Sequence, residues 1–326
     1  MEILKIKDQS FAFGEMDDWK KYRNNYINSW QSAFQRRGVE SSLDWMIGHK
    51  INKTYLLINS DDEIVSAYSL LKNNVSYSSG IASIGLCNNV FCSRKYLRYN
   101  LFQIISKLSL DKSSNEFELA YGMPNKLAVR GHKRVGWQFK ELNISLLNIE
   151  DVHKKYDNSN VKVVEFSSMT TKEKLDFFNK SSLIAIEKSN NNGIYSTYKS
   201  FDYYQWRFLN KPHLEDREYF TLQSSKSTLI FSFYKPDPQI NILDFQWKDI
   251  DSFLDLLLSL IQFTIDHNLT EIRFLNSELK DMMNHLGLIN NVRDAGTIPL
   301  ILYPFKNTID LTKLAPTISF SDYDVY

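Results

Sequence analysis

The sequence predicts an α/β (α+β) fold built from two similar halves. Strand-like apolar runs alternate with amphipathic helical segments, and the order of these segments recurs after a polar stretch near the middle. The chain of 326 residues is also long for one domain, and its 43% of hydrophobic residues can fill two cores. Two domains of ordinary size are therefore expected.

The first half contains a clear helical period, because Trp19, Tyr22, Tyr26 and Trp30 recur at three- and four-residue steps. This pattern predicts a helix over residues 19–34. Gly136 is a typical C-terminal end for the last helix of this half. The other expected elements are strands at 55–58, 64–71, 81–91, 116–121 and 137–147, and helices at 101–110 and 127–135.

The polar segment 148–162 is predicted to link two domains, 1–152 and 153–326. Beyond it, the order of strands and helices resembles that of the first half, which suggests a duplication. The expected elements are helices at 170–180, 250–267 and 279–285, and strands at 219–223, 229–234, 240–245, 272–275 and 300–304.

Composition excludes several classes of protein. A net charge of +1 argues against a general grip on nucleic acid or an anionic membrane. Only two cysteines occur, Cys87 and Cys92, which predicts a cytoplasmic protein without a disulfide framework. The longest apolar run, 253–265, is short of the roughly 20 residues that span a bilayer. The six histidines show no metal-ligand spacing, so no metal is expected.

A basic turn at 93–100 joins a predicted strand to a predicted helix. Arg94, Lys95 and Arg98 place positive charge where a helix dipole favours an anion. Asn100 is the residue in this turn that tolerates a positive φ angle. The turn is interpreted as a pyrophosphate site of a bound cofactor, although a solvated turn would have the same composition.

A second pattern follows the next strand. It reads Gly122-Met123-Pro124-Asn125, then Ala128, His132 and Lys133, and ends at Gly136-Trp137. The order of the two patterns resembles the GNAT superfamily of acyltransferases, in the form found in surface-polysaccharide gene clusters. In the first pattern the match is partial, because Leu97, Arg98 and Asn100 replace the arginine and glycines that are usual there.

The resemblance implies two tandem GNAT-like domains, each with a mixed, mostly antiparallel central sheet flanked by helices. It implies an acyl-CoA co-substrate, with Asn125 on the pantetheine arm and backbone N–H groups near Val90 to Cys92 on the thioester carbonyl. The full set of expected cofactor contacts is Val90, Cys92, Lys95, Arg98, Tyr99, Asn100, Leu101 and Asn125.

His132 stands where many members of that family place the tyrosine that protonates the departing thiolate. A histidine can perform this step, since its ordinary pKa lies near neutrality. A partly buried histidine packed against Trp137 is the alternative interpretation. Cys92 is interpreted as a structural thiol, because nothing near it in sequence resembles an activating base.

The second half is expected to support catalysis or to bind the acceptor. Its strand-to-helix connection at 246–250 contains no glycine and one lysine, which is unlike a phosphate loop. Asn88 on the first-half strand and Tyr204 and Arg207 in the second half are the predicted acceptor contacts. Packing is the expected role of Trp206, and solvation is the expected role of the tail at 319–324.

Taken with the resemblance, these patterns predict N-acyl transfer from acyl-CoA to a nucleotide-linked amino sugar, by a monomer or homodimer without nucleic acid. Two alternatives remain open. One is a Fem-like aminoacyl transferase that uses aminoacyl-tRNA, and the other is a non-catalytic scaffold whose CoA site has decayed. Stabilisation by CoA separates an active enzyme from a scaffold.

Overall fold

A computed structural model of the chain describes residues 1–37, 40–77, 80–150, 152, 161–192, 195–212, 217–234, 237–275, 277–306, 310, 314 and 317–322. The strands are β1 Glu2–Ile6, β2 Gln9–Glu15, β3 Asn52–Ile58, β4 Ile64–Tyr77, β5 Gly80–Cys92, β6 Leu119–Gly122, β7 Gln138–Asn148, β8 Val164–Glu165, β9 Ser196–Tyr198, β10 Arg217–Gln223, β11 Ser227–Tyr234, β12 Asp237–Trp247, β13 Glu271–Phe274 and β14 Val292–Pro304. The helices are α1 Trp19–Phe34, α2 Glu40–Ile47, α3 Leu101–Ser113, α4 Lys126–Arg134, α5 Thr171–Asn192, α6 Phe201–Tyr204, α7 Ile250–Asp266 and α8 Ser277–His285.

The predicted helix at 19–34 is confirmed residue for residue. Asp18 caps it by accepting a hydrogen bond from the backbone N–H of Lys20, and Gln35 ends it in the left-handed conformation. Neither N-terminal strand was expected; in the case of β1, the strand lies at the sheet edge and most of its residues are exposed. The buried face that identifies a strand in a sequence is therefore faint there.

All the strands belong to one sheet. Its order is β1-β2-β3-β4-β5-β6-β14-β7-β13-β12-β11-β10-β8, and β9 adds to β4. The pairs β5–β6 and β12–β13 are parallel, whereas the other pairs are antiparallel. A mixed, mostly antiparallel sheet flanked by helices is therefore confirmed.

The middle of the sheet is built by strands that cross between the halves. β14, from the end of the chain, lies between β6 and β7, with Ile301 opposite both Gly122 and Phe139. Reciprocally, β7 lies between β14 and β13, with Leu147 opposite Ile272. Each half thus receives a strand from the other. The predicted boundary at 152/153 stays a prediction, and most of the predicted linker lies outside the described residues.

Four apolar cores line the two faces of the sheet. The largest joins both halves on one face, where β4, β5 and β6 pack against α5, α6 and the chain end. On the opposite face, one core lies under α3 and α4, and another lies under α7 and α8. α1 and α2 cover the fourth. Since β5 has apolar neighbours on both faces, its backbone is held firmly at the centre of the first half.

The end of the chain corrects one expectation. Ser319, Phe320, Ser321 and Asp322 are all at most 4% exposed, so the tail up to Asp322 is part of the core. Solvation is therefore the wrong role for these four residues; residues 323 and 324 lie outside the described part of the chain. The polar residues of the tail suggested exposure to solvent. Inside the protein, however, they form hydrogen bonds with residues elsewhere in the chain.

Candidate active site

The central strands of the first half diverge after a short parallel pairing. β5 and β6 pair at Ile84–Leu119, Gly85–Ala120 and Leu86–Tyr121, and β6 ends at Gly122. β5 continues to Cys92 beside β4 through a register shift, where Asn89 has φ of 45°. A bulge of this kind bends a strand away from its neighbour. One edge of β5 beyond Leu86 is consequently left beside an opening between the strands.

Gly122 permits the close approach of the strands where they part. A Cβ atom at this position would lie 3.1 Å from both the Cβ and the carbonyl oxygen of Cys87. Few real Cβ contacts are that short, so a side chain would push the strands apart before the opening begins. The glycine therefore fixes where the divergence starts.

A cleft of about 430 Å³ lies on the α3 and α4 side of this opening. Five of the predicted cofactor contacts line it, namely Val90, Cys92, Asn100, Leu101 and Asn125. Its walls are completed by residues that the sequence did not indicate, including Ala33 and Phe34 from α1, Phe102 from α3, and Leu127, Gly131 and Arg134 from α4. Volume and lining suit a slender, partly apolar ligand.

The other three predicted contacts lie outside the cleft lining. Tyr99 is 3% exposed, and its hydroxyl donates to Asp8 at 2.9 Å. Arg98 donates to the Tyr99 hydroxyl at 2.6 Å and to Asp8 at 3.4 Å. Lys95 pairs with Glu63 at 3.5 Å. Both ion pairs are exposed, where water and salt weaken them, so an anion could compete for either cation.

Asn100 and Asn125 shape the cleft through their backbone roles. Asn100 has φ of 56°, a conformation that asparagine adopts more readily than most residues, and it starts α3 after the 3₁₀ turn Arg94–Tyr99. Asn125 caps α4, since its Oδ1 accepts a hydrogen bond of 2.9 Å from the N–H of Ala128. The exposed side of the Asn125 amide remains next to the cleft.

His132 lies behind the cleft wall rather than on its surface. It is 2% exposed and packs edge-on against Phe102 and Trp137, with ring centroids 5.0 Å and 5.2 Å away. Its Nδ1 has no hydrogen-bond partner among the described residues. Burial lowers the pKa of His132 to about 4. The ring is therefore neutral at pH 7, and it does not line the cleft, whereas its neighbours Gly131 and Phe102 do.

Cys92 is on the cleft wall as an unreactive thiol. Its Sγ lies 2.9 Å from the hydroxyl oxygen of Ser66, and burial raises its pKa to about 12. A thiol with such a high pKa contributes little thiolate at neutral pH. This environment agrees with the structural role that the sequence suggested for Cys92.

Asn88 lies at the start of the bulge, and its side-chain amide has no hydrogen-bond partner among the described residues. Strand alternation places its side chain on the face of Leu86, opposite to that of Cys87. It is 4% exposed, and neither Oδ1 nor Nδ2 has a partner among the described residues. Buried amides without partners are rare, because each lost hydrogen bond costs about 1–3 kcal/mol.

The predicted acceptor contacts in the second half are buried. Arg207 is 2% exposed and lies 5.9 Å from the rings of Trp45 and Trp206, which stack at 4.6 Å. Each of these indoles donates to the backbone carbonyl of the other tryptophan, at 2.6 Å and 2.9 Å. Trp206 therefore packs, as expected. The tryptophan pair also joins α2 of the first half to the helical turn after α6.

Tyr204 belongs to a buried charged network that the sequence did not reveal. Its hydroxyl donates to Asp244 at 2.8 Å. Lys199, with no exposed side-chain surface, pairs with Asp244 at 2.9 Å and with Asp322 at 3.4 Å. Asp322 also accepts from Tyr121 at 2.9 Å and from Asn73 at 3.3 Å. Burial raises the pKa of Asp244. The network connects the chain end to both halves.

The second half repeats the short parallel pairing and the register shift of the first half. β12 and β13 pair only from Gln239–Glu271 to Asn241–Arg273, and β12 then continues past a register shift, as β5 does. There, Asp244 binds Lys199 and Gln246 accepts from Ser196 at 2.8 Å. These contacts lie on the face of the sheet that α5 and α6 cover.

Two absences complete the description. No group of three or more His, Cys, Asp or Glu that could hold a metal ion occurs in the part of the chain that the structure describes. Among the same residues, no helix is long and apolar enough to cross a membrane.

Neither a protein-family model nor a curated protein sequence matches the chain. Solved structures do. A conserved protein of unknown function from Enterococcus faecalis, described as a "Probable N-Acyltransferase", superposes with a TM-score of 0.68 at 12% identity, and the match covers 91% of this chain and 72% of that protein. A GCN5-related N-acetyltransferase from Anabaena variabilis gives 0.68 at 10% identity, with 90% and 73% covered.

A third similar structure has a bound donor. Saccharomyces cerevisiae N-myristoyltransferase, solved with myristoyl-CoA, gives a TM-score of 0.54 at 9% identity and covers 93% of this chain and 80% of its own. At such low identities these likenesses establish the fold alone. The chain therefore has the fold of GCN5-related N-acetyltransferases.

Proposed function

We propose that this chain, folded as GCN5-related N-acetyltransferases are, is an N-acyltransferase that uses a phosphopantetheine thioester such as acyl-CoA. The observation that carries the proposal is the cleft at the divergence of β5 and β6, which gathers Val90, Cys92, Asn100, Leu101 and Asn125. A strand edge that lacks a neighbour offers backbone N–H groups to a carbonyl oxygen, and such donors stabilise the oxyanion of an acyl-transfer transition state.

The donor is proposed to enter between α3 and α4. Asn125 then contacts the amides of the pantetheine arm, while the apolar wall of Leu101 and Phe102 excludes water from the thioester. The acyl carbonyl would lie beside Val90 and Cys92. Aminolysis forms the amide bond, breaks the C–S bond, and delivers the proton of the amine to the departing thiolate.

His132 is proposed to act from behind the wall. At pH 7 its ring is neutral, so it meets the negative charge on sulfur as an N–H hydrogen-bond donor rather than as an imidazolium ion. A thiolate nearby would raise the proton affinity of the ring. The step requires movement at Gly131 or Phe102, or a bridging water, since these residues line the cleft in front of His132.

The acceptor is proposed to be the primary amine of a nucleotide-linked amino sugar, used in making a surface polysaccharide. Asn88 supports an acceptor on the face opposite the donor, because its buried amide has both hydrogen-bonding atoms unpartnered among the described residues. The identity of the sugar rests on the sequence resemblance. Tyr204 is proposed to hold the acceptor-side wall through Asp244, and Arg207 through the Trp45–Trp206 pair.

Thermal unfolding tests the donor site. Acetyl-CoA at saturating concentration is expected to raise the melting temperature by several degrees, since a ligand that binds only the folded state stabilises it. Asn125→Ala removes both the helix cap and the amide, whereas Asn125→Ser keeps a capping oxygen. Loss of the acetyl-CoA shift in both variants, with stability retained in Asn125→Ser, identifies a direct contact.

The same measurement can defeat the proposal. No shift with acetyl-CoA or a longer acyl-CoA would favour the scaffold interpretation, and strong retention of aminoacyl-tRNA would favour the Fem-like interpretation. Where a shift is seen, a panel of nucleotide amino sugars identifies the acceptor by release of free thiol. His132→Phe keeps the ring but removes the N–H, and turnover of this variant is expected to fall by about 10²-fold.

A further inference from the structure

The mouth of the donor cleft is unusually apolar for a surface that would receive only a nucleotide. Phe34, Leu97 and Leu127 are 39%, 69% and 91% exposed, and all three line the cleft. They come from three separate segments, α1, the basic turn and α4. Large apolar side chains that are exposed together mark a surface that contacts another molecule, because leaving them in water is unfavourable.

The same mouth is basic. The turn Arg94–Tyr99 and helix α4 contain seven lysines and arginines and no acidic residue, in a chain whose net charge is +1. Lys126, Arg130 and Arg134 on α4 are exposed, as are Arg36 and Arg37 just after Phe34. We call Phe34, Leu97, Lys126, Leu127, Arg130 and Arg134 the rim. Three of its members are cations and three are apolar.

A free nucleotide explains only part of this surface. The phosphates of a nucleotide could pair with the basic side chains, but they would leave Leu97 and Leu127 exposed to water. The turn also lacks glycine, so side chains stand where backbone would otherwise approach a phosphate. Arg98 and Lys95 lie outside the lining of the cleft, where they pair with Asp8 and Glu63. The rim therefore suits a diphosphate poorly. Its cations and apolar side chains together suit an acidic, partly apolar protein surface.

We propose that the acyl donor is delivered on an acidic acyl carrier protein, whose body docks on the rim while its phosphopantetheine arm enters the cleft. This inference rests on the proposed function, since it names the donor for the same site. The arm's thioester reacts as a CoA thioester would: the amine takes the acyl group, and the carrier leaves with its arm as a free thiol. Exposed leucines favour a protein partner over RNA, whose contacts are mainly with phosphate.

Fluorescence anisotropy tests the docking without knowledge of the acceptor. The probe is a dye-labelled bacterial acyl carrier protein whose arm bears an acyl amide in place of the thioester. We expect micromolar binding that weakens with salt, and at least about tenfold weaker binding for Leu127→Asp and for Arg130→Glu. The matched control is Leu183→Asp, which changes a 59% exposed leucine on α5. All variants are first checked for an unchanged urea midpoint.

Three competitors give the outcomes that overturn the proposal. If a carrier without its arm binds equally well, the rim does not deliver a donor. If tRNA displaces the carrier at lower concentration and depends on Arg130, the surface binds RNA. If an acyl-CoA amide binds and the carrier does not, the carrier proposal fails while the N-acyltransferase proposal stands. When neither carrier nor CoA analogue binds, both proposals fall.

Discussion

Single polar side chains buried beside the divergence of β5 and β6 are the most informative residues of this protein. His132 and Asn88 both retain hydrogen-bonding atoms without partners among the described residues. Burying such atoms costs free energy, and the cost is tolerated where a ligand or an ordered water completes the bond. In the proposed reaction, His132 would meet the donor and Asn88 the acceptor.

The buried histidine should make stability depend on pH. In the unfolded chain its pKa is near 6.5, and in the folded protein burial lowers it to about 4. The unfolded state therefore takes up the proton first. The contribution of the neutral His132 ring to the free energy of unfolding is fully present above about pH 6.5. It is lost as pH decreases from 6.5 to 4 and changes no further below that pH. The total loss is about 3 kcal/mol.

Urea denaturation of the wild type and of His132→Phe, each from pH 7 to pH 4, measures this dependence. Their difference in unfolding free energy isolates His132 from other titrating groups, and it should shift by about 3 kcal/mol in favour of the variant as pH falls. His285→Gln, at an exposed position, is the control. Parallel curves for wild type and His132→Phe would contradict the burial of this ring.

At the scale of elements, the contact between α3 and α4 sets the width of the cleft. Gly131 on α4 faces Phe102 on α3, and a Cβ at position 131 would lie 2.7 Å from the Phe102 ring. Glycine therefore lets α4 approach closely, although it lowers the intrinsic stability of a helix by about 1 kcal/mol relative to alanine.

Gly131→Ala is expected to destabilise the wild-type protein by about 1–3 kcal/mol, because the new methyl group collides with the ring. In a Phe102→Leu background the collision is relieved, and the same substitution should be neutral or stabilising. Urea denaturation of the four proteins gives the coupling free energy, expected to exceed about 1 kcal/mol. Additive effects would mean that the two helices are not in contact at this position.

At the scale of the whole molecule, the chain end and the exchanged strands hold the halves together. Lys199 is buried between Asp244 and Asp322. Burial alone would lower the pKa of Lys199, but the two carboxylates outweigh it and hold that pKa above its ordinary value. Lys199 is the cation that contacts both carboxyl groups, so its loss should disturb the network more than the loss of either partner.

Lys199→Met should lower the unfolding free energy by about 3–5 kcal/mol, because it leaves two buried carboxylates without their cation. Asp322→Asn keeps the shape of the network and removes one negative charge, so its cost should be clearly smaller. Denaturant midpoints of the two variants test this order. The reverse order would show that Asp322, rather than Lys199, is the essential charge.

The exchange of β7 and β14 predicts that the halves cannot fold separately. A fragment of residues 1–152 lacks β14, so β6 and β7 would lose their shared neighbour and expose unpaired edges. We expect this fragment to show no cooperative unfolding alone, and to regain it when co-expressed with residues 153–326. Cooperative unfolding of the isolated fragment would support an independent first domain.

Local pattern determined much of this protein in advance. The periodicity at 19–34 predicted α1, because a single apolar face is enough to identify a helix. Asn100 adopts the positive φ angle that its place in the turn suggested, and Asn125 starts α4. Five of the expected cofactor contacts meet in one cleft. The period of α1, the turn at Asn100 and the start of α4 at Asn125 all depend on neighbours in sequence, which a sequence contains directly.

Only the tertiary structure decided the rest. No local signal indicates that β14 lies between β6 and β7, that Asp322 binds Lys199, or that His132 is neutral behind a wall. Each depends on residues that are distant in sequence, and both burial and pKa are properties of the surroundings of a group rather than of its type. The sequence alone determined α1 and the longer strands and helices of both halves, whereas packing between distant segments decided which buried polar groups lack a partner among the described residues.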